Sequence, residues 1–131
     1  MSNVKVNLEF KDAFYGQLKT PSHEINVGQG EATMAPYELL YGALGSCLHA
    51  TFMSVAHKKK CSYESVDYHI TGEKREKSPT TLKWVKVTMT IKGASDEDQL
   101  RKSAVLGAKF CSIYETLSQV AEMTLEVNFI A

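Results

Sequence analysis

Apolar residues alternate with polar ones along several stretches of this chain and run nearly unbroken along one, which separates predicted strands from a long predicted helix. Val4, Val6, Leu8 and Phe10 alternate with Lys5, Asn7 and Glu9, the period of a strand with one buried face. Phe14–Lys19 and His23–Val27 read as two further short strands around Thr20-Pro21-Ser22, which makes an antiparallel meander. Gly28–Thr33 forms a loop that delivers the chain to Pro36. From Met34 to Lys60 the pattern changes. Pro36 has a φ suited to a first helical position, and the run of Leu, Ala, Tyr, Phe, Met and Val behind it contains no other proline. A helix apolar over most of its circumference is expected to be a core helix, covered on several sides.

Beyond it, Tyr63–Glu73 carries Val66, Tyr68 and Ile70 in alternation, and Leu82–Ile91 carries Leu82, Trp84 or Val85, Val87, Met89 and Ile91. The charged stretch Lys74–Pro79 between them predicts the solvated tip of a long hairpin. Ser95 with Asp96, Glu97 and Asp98 predicts a helix start with Ser95 as N-cap, continuing through Leu100, Ala104 and Ala108. That helix is expected to break near Lys109-Phe110-Cys111 and resume with Ile113, Tyr114, Leu117, Val120 and Ala121. Met123–Ile130 alternates as a last strand, with Leu125, Val127 and Phe129 on one face. The expected order is three strands, a helix, two strands, two helices and a strand, in one domain of 131 residues.

Charge removes several functions from consideration. Basic and acidic residues balance at 15 each, and the one dense cationic run, His57–Lys60, sits where the long helix should end and complements its dipole. No nucleic-acid partner is expected. Met1–Val6 lacks the apolar core of a signal peptide, and no segment reads as both long and uncharged enough to span a membrane, so the expectation is a cytoplasmic protein without a membrane partner. Three cysteines without a CxxC pair speak against a disulfide scaffold and a structural zinc site.

The cysteines carry the candidate chemistry. At about 100° per residue, the helix face around Cys47 holds Leu40, Ala43, Leu44, Ala50, Thr51 and Ser54, mostly small residues that let a second helix approach and leave room beside the sulfur. A small buried hydrophobe is the competing reading of Cys47. If the last helix starts near Cys111, that thiol lies at a positive dipole end, where thiol pKa values fall. Cys61 lies about 21 Å from Cys47 along a continuous helix, too far for a disulfide, and reads as an exposed bystander. The four histidines have no metal-site spacing; His49 falls nearly opposite Cys47, and a Cys-His hydrolase would have to recruit His23 or His69.

Pro36-Tyr-Glu-Leu-Leu-Tyr-Gly-Ala-Leu-Gly-Ser-Cys47, followed by Lys109-Phe-Cys111-Ser-Ile-Tyr-Glu-Thr-Leu and a terminal strand, resembles the OsmC/Ohr family of thiol-dependent peroxidases, nearest its general OsmC-like branch. The resemblance implies an α+β fold, with antiparallel sheets wrapped around long central helices and two chains intertwined as a homodimer. It implies that Cys47 attacks an organic hydroperoxide and becomes a sulfenic acid, and that Cys111 condenses with it to a disulfide in oxidative-stress defence. No bound cofactor or metal is implied; the reductant would be an external dithiol, with a lipoyl dithiol the family's suggestion.

Peroxidases of the family carry an acid directly after the motif proline and an arginine from the N-terminal strands. Here Tyr37 follows Pro36, Glu38 is one step late and about 180° around the helix from Cys47, and no arginine precedes Arg75. Tyr37 and Glu38 remain candidate activating or pocket residues, and Lys5 or Lys19 the candidate cations. Without a cation, a thiol in an apolar helix is expected to have a raised pKa. The alternative is a non-enzymatic OsmC-like dimer that binds an apolar small molecule or senses redox state.

Overall fold

The computed structural model describes residues 4–131, so Met1 to Asn3 lie outside the described residues. The chain falls into two compact units, one running up to Leu40 and the other covering Tyr41–Ala131.

In the first unit β1 (Asn7–Phe10), β2 (Tyr15–Lys19) and β3 (Glu24–Gly28) form the antiparallel meander that the alternation predicts, in the order β1-β2-β3. Gly28 closes it at φ 117°, where a side chain would collide with the Phe14 carbonyl. The expected buried face of the first strand is not buried. Leu8 is 52% and Phe10 41% exposed, so among the described residues of this small unit no element covers that side of the sheet. Alternation records that a face is apolar and leaves open what covers it.

Helix α1 spans Pro36–Lys58. Ala35 N–H donates to the Glu38 carboxylate at 2.7 Å, the N3 half of a capping box. Its buried residues, Leu44, Leu48, Phe52 and Ala56, recur every fourth position and make a single stripe. Coverage on several sides is therefore not what this chain provides. Between Leu39 and Ala56 the helix has no Asp, Glu, Lys or Arg, and it is long and apolar enough to cross a membrane by length and composition. That corrects the expectation that no segment qualifies. Only 22% of its most apolar window is buried.

The second unit continues with β4 (Ser65–Lys74) and β5 (Leu82–Lys92), paired antiparallel as the long hairpin. The register slips at Glu73/Lys74, so that Glu73 faces Trp84 and Lys74 faces Leu82. This bulge explains why the sequence left Trp84 and Val85 as alternatives: Leu82 and Val85 are both buried although three positions apart. Val87, Met89 and Ile91 extend the same core face. Helices α2 (Glu97–Phe110) and α3 (Ser112–Ser118) then carry the chain back to β6 (Glu122–Ile130), which pairs with β5 in parallel and completes the order β4-β5-β6. The sheet is thus mixed rather than wholly antiparallel, since a helical crossover returns the chain to the same end of the sheet.

The N-cap of α2 is Asp96, whose carboxylate accepts from Gln99 N–H at 3.1 Å, and not Ser95. Ser95 instead accepts from Ser62 N–H at 2.9 Å and donates its own N–H to the Ser62 carbonyl, tying the start of α2 to the segment before β4. The predicted break lies at Cys111, which is extended at φ −77° and ψ 113° between the two helices.

Candidate active site

Two helices meet closely one turn away from the thiols. Gly107, buried in α2, lies against α1 so tightly that an added Cβ would fall 2.9 Å from Phe52 N and 3.0 Å from Phe52 Cα. Only glycine permits that approach. At the same crossing the Thr51 hydroxyl donates to the Gly107 carbonyl at 2.8 Å. Cys47 precedes Thr51 by four residues and Cys111 follows Gly107 by four, so each sulfur-bearing residue sits one helical turn from the contact. Of the small-residue face read from the sequence, Thr51 makes this approach, whereas Ala43, Ala50 and Ser54 are exposed.

At the joint between α2 and α3, Cys111 is the N-cap of α3 and its sulfur accepts from Tyr114 N–H at 3.4 Å. The Cys47 sulfur lies 4.0 Å from the Ser112 hydroxyl, and the amides of Ser112 and Ile113 and the thiol of Cys111 are near enough to stabilise its thiolate. Both cysteines are free thiols; Cys47 is half-buried and Cys111 fully buried.

The surroundings drive the two thiols apart. Burial pushes the Cys47 pKa up, but the donors from Cys111, Ile113 and Ser112 together outweigh it and hold the thiol below its ordinary value. None of those donors is a charged side chain. Cys111 is pushed up to about 11, first by burial and next because its proton is engaged by Cys47. Burial, followed by the charge of Cys111, also raises the Tyr114 hydroxyl. Both sequence expectations are reversed here. The Tyr114 and Ile113 amides of α3 do pull the Cys111 pKa down, but burial and the proton shared with Cys47 outweigh them, and the thiol in the apolar helix is the acidified one without an arginine.

Ser112 and Ile113 were missed as site residues, although they stand inside the second motif; a backbone amide has no signature in sequence, and only the helix restart after Cys111 pointed to it. Gly107 was missed for a similar reason, as one glycine within a helical pattern. Tyr37 is half-buried in the first turn of α1, and Glu38 is engaged in the capping contact with Ala35. Lys19 is shared between Glu9 at 3.9 Å and Glu24 at 3.6 Å, and Lys5 is exposed. Cys61 is half-buried rather than exposed, and its thiol lies 3.7 Å from the Lys59 carbonyl.

His23, His57 and His69 are exposed. His49 is half-buried, with Nδ1 hydrogen-bonded to the Tyr68 hydroxyl at 3.0 Å, and it packs with Phe52, Tyr63 and Tyr68. A cleft of about 420 Å³ opens beside this pair between Gly45, Ser46 and Val66. A wider groove of about 530 Å³ runs along α2, lined by the apolar Val105 and Leu106 and by the charged Lys59, Asp98, Arg101, Lys102 and Lys109. Among the described residues no group of three His, Cys, Asp or Glu side chains is placed to hold a metal ion.

The family model described as OsmC-like protein matches residues 28–126, a span that holds both cysteines. No curated protein matches the chain. Among solved structures, an OsmC-like protein from Mycoplasma pneumoniae superposes with a TM-score of 0.89 at 14% identity, covering 99% of each chain. A hypothetical protein from Aquifex aeolicus VF5 gives 0.85 at 24% identity over 100% of both chains. The organic hydroperoxide resistance protein OhrB of Bacillus subtilis gives 0.69 at 15% identity, over 97% of this chain and 98% of its own. At these identities the structural matches establish the α+β fold.

Proposed function

The chain belongs to the OsmC-like protein family, and from that premise we propose that it is a thiol peroxidase that reduces organic hydroperoxides with Cys47 and Cys111. The contact between two thiols of opposite character carries this reading: an acidified, half-exposed Cys47 and a buried Cys111 that keeps its proton. Thiolate attack on a peroxide needs the first, and closure of a disulfide needs the second within reach.

In the first step the Cys47 thiolate attacks one oxygen of the O–O bond. An S–O bond forms, the O–O bond breaks, and the alkoxide takes a proton and leaves as the alcohol. The Ser112 and Ile113 amides stabilise the thiolate before attack. In the second step the Cys111 sulfur attacks the Cys47 sulfenic acid; an S–S bond forms, the S–O bond breaks, and the Cys111 proton departs with the hydroxyl as water. An external dithiol, a lipoyl dithiol being the candidate, then returns both thiols by exchange and is itself oxidised to its disulfide.

A homodimer is part of the proposal. The uncharged and mostly uncovered flank of α1 and the exposed apolar face of β1 are surfaces that a second copy of the chain would bury. A cytoplasmic setting is also part of the proposal, since free thiols as working groups suit a reducing compartment. One observation favours the alternative, a dimer that binds an apolar small molecule without turnover: the apolar residues lining the α2 groove, where Val105 is 60% exposed. Consumption of cumene hydroperoxide and of hydrogen peroxide by purified protein with dihydrolipoamide separates the two. Turnover that prefers the organic peroxide and disappears in Cys47→Ser supports the peroxidase; equal inertness of both proteins leaves the binding dimer.

A further inference from the structure

The C-terminal turn of α2 leaves its last carbonyls without partners from within the helix, as every helix end does. One of them belongs to Gly107. Its regular partner would be Cys111 N–H, four residues on, but that N–H donates to Ala108 O at 3.2 Å instead. The Gly107 carbonyl is taken by the Thr51 hydroxyl at 2.8 Å. Within its own helix the same hydroxyl has competing acceptors in Leu48 O at 3.0 Å and Cys47 O at 3.4 Å. A hydroxyl has one proton to give, and the contact to α2 is the shortest of the three.

We propose that Thr51 is a positioning residue for the thiol pair: its hydroxyl caps α2 from the neighbouring helix at Gly107, ends the regular helix there, and so holds Cys111 in the extended joint beside Cys47. If that carbonyl were free, Cys111 N–H would be its nearest donor, and the helix would extend by one residue through the position that must turn. Gly107 and Thr51 act together here, since the close approach that glycine permits is what brings the hydroxyl within reach. Thr51 touches no substrate and exchanges no electron in this account; it sets how often the two sulfurs meet.

The inference rests on the peroxidase reading in that disulfide closure is its second step, but its test contains no peroxide and can fail separately. Purified protein is equilibrated with mixtures of oxidised and reduced glutathione, where the protein dithiol and the glutathione disulfide exchange to a Cys47–Cys111 disulfide and two reduced glutathiones. The fraction oxidised gives the effective concentration of one thiol at the other. Thr51→Val keeps the shape and removes the hydroxyl; it should lower the effective concentration about tenfold, the order expected when one hydrogen bond that holds the joint is lost. Thr51→Ser restores the hydroxyl without the methyl and should recover most of that loss. A Thr51→Val value equal to wild type, or a Thr51→Ser value as low as that of Thr51→Val, would overturn the proposal, the second outcome assigning the effect to packing. Thermal unfolding of both variants accompanies the assay; if Thr51→Val fails to fold, a Thr51→Ser value about tenfold below wild type overturns the proposal and a value near wild type supports it.

Discussion

The middle of α1 and the joint between α2 and α3 hold the same functional group in opposite surroundings. Cys47 lies in the most apolar helix of the chain and is acidified; Cys111 lies at a helix start and is not. The balance of burial against hydrogen-bond donors explains the inversion. Amides of α3 lower the pKa of both thiols, but at Cys47 they act with the Ser112 hydroxyl and the Cys111 thiol and outweigh burial, whereas at Cys111 full burial and the proton spent on Cys47 outweigh them. Helix polarity and hydropathy thus mislead when applied to each cysteine on its own element, and succeed when applied to the pair. In the proposed reaction the two regions work as one unit, the donor thiol activating the acceptor thiol and then resolving it.

Several experiments break or sharpen that contrast. The largest effect is expected from exchanging the roles. Cys47→Ser should lose the single-turnover reaction with cumene hydroperoxide by roughly a thousandfold or more, whereas Cys111→Ser should still form a sulfenic acid at Cys47, trapped by dimedone, while losing multiple turnover. Equal loss in both variants would mean that the thiols do not divide the work.

Selective alkylation comes next. With its pKa at about 11, Cys111 is roughly one part in a thousand thiolate at pH 8, so iodoacetamide should modify Cys47 first, with the selectivity shrinking as pH rises toward the Cys111 value. Peptide mapping across a pH series reads this directly, and faster labelling of Cys111 at neutral pH would contradict the assignment.

Overpacking the crossing tests the frame that holds both regions. Gly107→Val should destabilise the fold by roughly 1–3 kcal/mol, because its branches meet the Phe52 backbone; urea unfolding measures it. The smallest effect concerns one donor. Ser112→Ala should raise the Cys47 pKa, leave less thiolate at neutral pH, and slow alkylation there by about twofold to fivefold, with no change well above the pKa.

Much of the architecture was legible in the sequence because burial wrote it there. The β5 pattern foretold a strand with one buried face, and even its ambiguity at Trp84 and Val85 marked the bulge. The broken helix at Cys111 was legible from the shift in apolar phase. What covers an apolar surface was not. β1 and β5 carry the same alternation, yet Leu8 is half-exposed and Val87 has no exposure, since covering depends on a partner layer that a local pattern does not encode. The cysteine pair was legible through its motifs; the donors around it were not, because amides of Ser112 and Ile113 and the carbonyl of Gly107 are common to every residue type. Ser95 shows the same limit at small scale: a serine and an aspartate both suit an N-cap, and the link to Ser62 decided between them.

The central claim is that Cys47 is oxidised and Cys111 resolves it. The most direct measurement is the mass of the intact, fully reduced protein before and after one equivalent of cumene hydroperoxide, followed by non-reducing peptide mapping. The account predicts a product lighter by two hydrogen atoms with one linked peptide pair containing Cys47 and Cys111. An unchanged mass, or a gain of oxygen located at Cys61, would contradict it.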